Sequence, residues 1–256
     1  MTKIYALANQ KGGVGKTTTA INLGAYLAQA DQKVLIVDVD PQANATSSLG
    51  LNKHQIGTSI YDALIQGTPL SRAILRSPDL GLFLVPSSPM LAGAEVELVS
   101  MLAREYRLRD ALDPIYGRFD FVLIDCPPSL GLLTINALTA ARSGVIIPVQ
   151  CEYLALEGLT QLYQTIDLVR ERLNPDLTIR GLLMTMFDGR TNLAQQVEDE
   201  VRRHFGDQTF RAVIPRSVRL SEAPSHGQPI STYAPRSSGA VAYEALAHEL
   251  MAIDAC

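Results

Sequence analysis

Ile4-Tyr5-Ala6-Leu7-Ala8 runs directly into Asn9-Gln10-Lys11-Gly12-Gly13-Val14-Gly15-Lys16-Thr17-Thr18. The first five residues form a continuous apolar run of strand length. From Thr17 to Ala30 the pattern becomes helical, with Ala20, Ile21, Leu23, Gly24, Leu27 and Ala28 on the packing face. A strand, a glycine-rich turn and a helix in that order form the opening of a βαβ unit. Gly12, Gly13 and Gly15 let the backbone wrap tightly, so that its N–H groups converge on an anion. The positive end of the helix points at the same place. Lys16 puts an ammonium where the β- and γ-phosphates of a nucleotide would lie, and the Thr17 hydroxyl suits Mg²⁺. Lys11, Val14 and Thr18 complete the loop. The common pattern is G-x-x-x-x-G-K-[ST]. Here Gly15-Lys16-Thr17 supplies its end, but Gln10 stands where the first glycine would fall, and Lys11 follows it.

The same alternation continues along the chain. Strands are expected at Val34–Val37, Leu82–Val85, Phe121–Ile124, Val145–Val149, Ile179–Met186 and Arg211–Ile214. Helices are expected at Glu95–Leu112, Glu157–Leu173, Leu193–Phe205 and Gly239–Ile253. Residues 41–80 are rich in Gly, Ser, Pro and Asn, with one helical piece near Ile60–Gln66. The apolar runs are continuous rather than alternating, which marks strands covered on both faces. The expectation is an α/β fold, a mainly parallel twisted sheet with helices on both faces. No linker, repeat or low-complexity tract breaks the pattern, so residues 1–256 read as a single domain.

Composition agrees. Hydrophobic residues make up 47% and charged residues 19% of the 256 residues, enough for a large core and the opposite of a disordered chain. The net charge of −4 excludes the bulk signature of a nucleic-acid binder, so any such contact needs a local patch. The three cysteines, Cys126, Cys151 and Cys256, are widely spaced and read as reduced thiols. The four histidines show no metal-ligand spacing. The N-terminal apolar stretch is too short for a signal peptide, and no apolar run reaches the roughly 18 residues of a membrane span.

Three carboxylates extend the site. Asp38 and Asp40 close the second strand, and Asp125 closes Phe121–Ile124. In open parallel sheets, ligands bind beyond the carboxyl ends of the strands. All three therefore fall on the edge that carries the glycine loop. Asp125 and Asp38 are expected beside the metal without ligating it directly.

Taken together, these stretches resemble the ParA/Soj family of partitioning ATPases, within the MinD-like group whose phosphate loop is the deviant Walker A type. The resemblance rests on Ala8 to Leu23, on Asp38-Val39-Asp40-Pro41-Gln42-Ala43-Asn44-Ala45-Thr46, and on Asp125-Cys126-Pro127-Pro128-Ser129. It continues through Pro148 to Glu152, Met186 to Leu193 and Ile214 to Ser225. It implies ATP hydrolysis with Mg²⁺. It implies that Lys11 crosses a dimer interface to the partner's nucleotide, with Gly12 at the closest approach, and that the homodimer forms with ATP. Asp40 matches the residue that orients the attacking water. Met186 and Pro215 match positions that pack on adenine. Arg190 and Arg219 match arginines that bind DNA non-specifically, with Arg216 nearby. A ParB-like partner, a cytoplasmic and nucleoid-associated location and no membrane attachment are implied as well. Ala43 departs from the pattern, since many relatives carry Gly there.

The residues give the DNA expectation independent support. Arg211, Arg216 and Arg219 lie between Asp207 and Glu222 with no carboxylate among them. Such a face suits phosphate contact without base reading. A merely solubilising face explains the same count. Arg104, Arg107 and Arg109 read as a solvated helix face. The first strand begins near Ile4, so an N-terminal helix-turn-helix domain is not expected. The alternative is a MinD-like ATPase cycling on a membrane or positioning another cargo. The segment Tyr243–Ile253 carries Glu244, His248 and Glu249 and lacks the Lys/Arg face such a helix needs. Asn52-Lys53-His54-Gln55 resembles a guanine-reading element but ends in Gln55 rather than Asp, which disfavours GTP.

Overall fold

The computed structural model describes residues 1–77, 80–152 and 157–255. Cys256 lies outside them. Eight strands form one sheet: β1 (Lys3–Leu7), β2 (Val34–Asp38), β3 (Leu75–Ser77), β4 (Leu82–Val85), β5 (Phe121–Asp125), β6 (Gly144–Gln150), β7 (Ile179–Phe187) and β8 (Thr209–Pro215). Their order is β3-β4-β2-β5-β1-β6-β7-β8. Every pairing is parallel except β3 with β4. The helices are α1 (Lys16–Gln29), α2 (Asn44–Ser48), α3 (Ile60–Gln66), α4 (Leu91–Val99), α5 (Arg107–Leu112), α6 (Leu132–Ala140), α7 (Glu157–Arg172), α8 (Asn192–Phe205), α9 (Val218–Glu222), α10 (Ile230–Tyr233) and α11 (Ser238–Ala255).

Strand alternation sorts the core into two layers. Ile4 and Ala6 of β1 join a cluster with residues of α3 to α8, whereas Tyr5 and Leu7 join α1 and α11 on the other face. Both faces are covered, as the continuous apolar runs required. Each fully buried aliphatic side chain adds about 1.5–3 kcal/mol relative to exposure. Gly24 lets α1 press onto β2, because a methyl group there would sit 3.2 Å from Ile36 Cδ1. The tail of α11 is fastened beneath β1. The Tyr5 hydroxyl donates to both Asp254 oxygens, at 2.6 and 2.8 Å, and Arg180 pairs with the same carboxylate.

Two local expectations, a helix and an arginine row, need correction, and one helix carried no expectation at all. The continuous helix over Glu95–Leu112 is two helices, α4 and α5, separated by a break in which Ala103 adopts φ +51°. The apolar periodicity carries across the break because both pieces cover the same side of the sheet. Helix α6 has no sequence signature because it is buried on nearly all sides, including Thr134, Asn136 and Thr139. Their polar groups turn back onto main-chain carbonyls at 2.7–2.9 Å, to Ser129, Leu132 and Ile135. A helix without a polar face shows no 3.6-residue period. Nor do Arg104, Arg107 and Arg109 form a free solvated row. Arg107 Nε donates to the Leu64 carbonyl at 2.8 Å, and Arg109 stacks over Tyr106.

Candidate functional site

Sheet order selects the site. β1 lies between β5 and β6, so the chain leaves its carboxyl end toward one side first and the other side later. Such a reversal opens a crevice at the strand ends. The loop from Ala8 to Gly15 occupies it.

Its shape comes from left-handed backbone at Gly13 (φ +74°) and Gly15 (φ +91°), which favours glycine. Gly15 is also the N-cap of α1 and contributes no side-chain cap, leaving the first N–H groups of the helix for an anion. Three side chains brace the loop, Asn9 from within it and Thr185 and Pro128 from outside. Asn9 Nδ2 donates to the Pro148 carbonyl at 2.7 Å and its Oδ1 accepts the Lys11 amide at 3.0 Å. Thr185 Oγ1 donates to the Val14 carbonyl at 2.9 Å. Gly12 faces Pro128, whose Cβ would lie 3.8 Å from an added methyl group.

The two lysines divide. Lys16 is 7% exposed, and its Nζ donates to the Lys11 carbonyl at 3.1 Å. Burial lowers its pKa, and Asp125 is the chief opposing influence. Lys11 points outward, and its Nζ lies 3.7 Å from Glu152 Oε2. One loop therefore presents one cation inward and one toward the surface.

The carboxylates also divide. Asp38 and Asp125 are neighbours in register on β2 and β5, and both are fully buried. Asp38 is committed to bonding: Oδ1 accepts the Asp40 amide at 3.2 Å, and Oδ2 accepts the Thr46 amide and hydroxyl at 2.8 and 2.7 Å. Burial pushes its pKa up to about 6 against these bonds. Asp125 Oδ2 accepts the Thr17 hydroxyl at 2.7 Å, and its Oδ1 is buried without a partner. Its pKa is also raised, by burial first and by Asp38 second. Asp40 stands nearer the opening, with Oδ1 accepting the Gln42 amide at 2.8 Å.

These residues fit a magnesium ion. A buried carboxylate oxygen lacking a partner, beside a threonine hydroxyl and next to an anion cradle, is the donor chemistry of a hard cation. Among the described residues no group of three or more His, Cys, Asp and Glu could hold a metal by itself. Thr17 would therefore share the ion with phosphate oxygens and water, with Asp125 and Asp38 behind. Cys126, next in sequence, is fully buried, and burial pushes its thiol pKa far up, so it is an inert core group.

A cleft of about 260 Å³ adjoins the loop, lined among others by Gly15, Thr18, Met186, Pro215, Leu220 and Tyr243. Met186 and Pro215 thus lie one side chain away from the phosphate cradle. Met186 holds φ +52°, a strained conformation for a methionine. Thr185, Leu220 and Tyr243 carried no sequence signal, since nothing in their spacing tells that three separate elements close on one cleft.

The expected arginines are exposed, but each has a carboxylate partner. Arg190 pairs with Asp188 at 2.7 Å, Arg219 with Glu222 at 2.8 Å and Arg216 with Glu152 at 3.5 Å. Arg190 holds Asp188 at a pKa of about 2. The stretch that lacks carboxylates along the chain receives them in space.

Comparison with known proteins agrees with this geometry. The AAA domain family model matches residues 2–179. The sporulation initiation inhibitor protein Soj of Bacillus subtilis is 55% identical over 98% of this chain and 99% of its own length. The chromosome partitioning protein ParA of Myxococcus xanthus is 55% identical over 98% of this chain and 89% of its own. Cobyrinic acid a,c-diamide synthase from Mycobacterium smegmatis, solved with an ATP analogue and magnesium, superimposes with a TM-score of 0.87 at 41% identity. That match covers 98% of this chain and 95% of the solved one. No described helix is long and apolar enough to cross a membrane. Cradle, carboxylates and near full-length identity to Soj and ParA proteins converge: the chain belongs to the ParA/Soj family of partitioning ATPases.

Proposed function

We propose that residues 1–256 act as one domain, an ATP-driven switch for DNA segregation in the cytoplasm, working on the nucleoid. ATP and Mg²⁺ occupy the cradle of Gly12 to Thr18, with adenine against Met186 and Pro215. Magnesium, when bound, neutralises charge on the β- and γ-phosphates. Lys16 balances the same charge from within the subunit, and Asp40 orients the water that attacks the γ-phosphorus. Lys11 reaches the nucleotide of a second copy, so the ATP-bound form is a homodimer. Arg190, Arg216 and Arg219 bind DNA phosphates without reading bases, and a ParB-like partner speeds hydrolysis and release.

The observation that carries this reading is the division of the lysines. Lys16 is buried on its own loop, while Lys11 is outward and held only by a partly exposed carboxylate at 3.7 Å. An exposed pair of this kind contributes about 0–1 kcal/mol, so a partner's triphosphate can take Lys11 from it. The test measures molar mass by light scattering, and DNA binding at several salt concentrations, with ATP, ADP and no nucleotide. The expected result is dimer formation and salt-sensitive DNA binding with ATP alone, both lost in Lys11→Ala. DNA binding equal in all three nucleotide states, or an ATP dimer that survives Lys11→Ala, overturns the proposal.

A further inference from the structure

Asp40 does not hold its loop alone. Its amide donates to Asp38 Oδ1 at 3.2 Å, and its carbonyl accepts the Ser87 hydroxyl at 2.7 Å and the Ala43 amide at 2.9 Å. The Ser87 amide donates to Thr46 Oγ1 at 2.9 Å, and the Thr46 hydroxyl donates to Asp38 Oδ2 at 2.7 Å. A closed ring results: Asp38 to Asp40, Asp40 to Ser87, Ser87 to Thr46, Thr46 to Asp38. It gathers the end of β2, the helix α2 and the segment after β4. Asp38, Thr46 and Ser87 are all fully buried. No member of the ring lies in the phosphate loop.

The ring leaves Asp40 one free atom. Oδ1 accepts the Gln42 amide at 2.8 Å, and among the described residues Oδ2 has no partner. The hydroxyl directions are forced as well. Thr46 Oγ1 accepts from the Ser87 amide, so its proton serves Asp38; the Ser87 proton serves the Asp40 carbonyl. The bonds hold against backbone strain, because Ala43 adopts φ +52° to bring its amide under that carbonyl.

We propose that Ser87 and Thr46 are positioning residues for ATP hydrolysis. They fix the main chain of Asp40 so that Oδ2 stays where it can orient the attacking water. Phosphoryl transfer depends on such alignment, and a 1 Å misplacement can cost about 100-fold in rate. The inference rests on the role proposed above for Asp40. A purely structural role predicts something else: a cooler-melting protein whose folded fraction hydrolyses ATP at the parent rate.

The test uses the full chain with Mg²⁺ and ATP. It measures kcat, KM, nucleotide affinity and melting temperature for Ser87→Ala, Thr46→Val, Thr46→Ser and Asp40→Ala. The expected result is a fall in kcat of about tenfold or more for Ser87→Ala and Thr46→Val, with affinity within about twofold of the parent. Thr46→Ser, which keeps the hydroxyl, should recover most of the rate. Parent-like kcat in folded Ser87→Ala overturns the inference. So does a loss of affinity equal to the loss of rate, which would assign the ring to binding. If Thr46→Val fails to fold, Ser87→Ala decides. The two layers separate through Asp40→Ala: parent-like turnover there removes Asp40 from the mechanism and the inference with it. An inactive Asp40→Ala beside normal Ser87→Ala removes the inference alone.

Discussion

The phosphate end of the sheet and the arginine face both gather charge, and they hold it in opposite ways. At the phosphate end, Asp38 and Asp125 are 0% exposed and Lys16 is 7% exposed. Each is locked by named bonds, to Thr46, Thr17 and the Lys11 carbonyl. At the arginine face, the Arg190, Arg216 and Arg219 side chains are 87%, 60% and 60% exposed. Of their carboxylate partners, Glu152 and Glu222 are 47% and 38% exposed and Asp188 is 22% exposed. A buried charge interacts through a low dielectric and cannot be replaced by water. An exposed pair contributes about 0–1 kcal/mol and yields to any denser source of opposite charge. The first region is built for single-residue dependence. Under the proposed function the second serves exchange, in which a phosphate backbone displaces a carboxylate at little cost.

This contrast orders the experiments. The largest effect belongs to Lys16→Ala, which removes the one buried cation of the cradle. Nucleotide affinity, read by titration calorimetry, should fall by about 100-fold or more, in keeping with about 3 kcal/mol for a charge-assisted bond to phosphate. Unchanged affinity would put the nucleotide elsewhere and dissolve the contrast.

The middle effect belongs to Asp125→Asn, and it has opposite signs in the two states. With nucleotide, Mg²⁺-dependent affinity should drop by about tenfold. Without nucleotide the variant should be relieved of a buried charge. The folded pKa of Asp38 is raised from 3.8 to about 6, so its associated stability is fully present below 3.8 and is lost as pH rises through about 6. Asp125 is shifted in the same direction, by burial first and by Asp38 second, and reinforces the trend. The melting temperature of the apo parent should therefore decline across that window, and Asp125→Asn should flatten the decline. A parent melting temperature that rises between pH 4 and 6 would mean the two carboxylates are not carrying this penalty.

The smallest effect belongs to Arg219→Glu. DNA affinity should fall several-fold, with a shallower dependence on salt, while monomer nucleotide affinity stays at the parent value. A change in nucleotide affinity would show the two regions coupled, and Glu152, which pairs with both Lys11 and Arg216, is where they meet. Unchanged DNA affinity would leave the arginine a solubilising role.

Much of the site was legible because its logic is local. The glycine loop, Lys16 and Thr17 lie within eight residues between a strand and a helix, and the carboxylates announce themselves at strand ends. Other parts were hidden for a common reason. Helix α6 lacks a polar face, so no period marks it. The break between α4 and α5 leaves apolar spacing intact. Asp38 reads from sequence as a metal neighbour, and only the fold shows that its oxygens are held by Thr46 and the Asp40 amide. The ring through Ser87 joins positions 47 residues apart, and the Thr185 brace on Val14 joins positions 171 apart.

By itself, the order of residues determined the α/β class, the place of the anion cradle and the chemistry it can perform, because backbone freedom at glycine, helix polarity and strand burial are properties of neighbours in the chain. Only the tertiary structure decided which lysine turns inward, which carboxylate oxygen is left without a partner, and that Glu152 comes to Arg216. Those outcomes depend on distances between segments that meet only when the sheet assembles, and charges act through distance rather than through sequence.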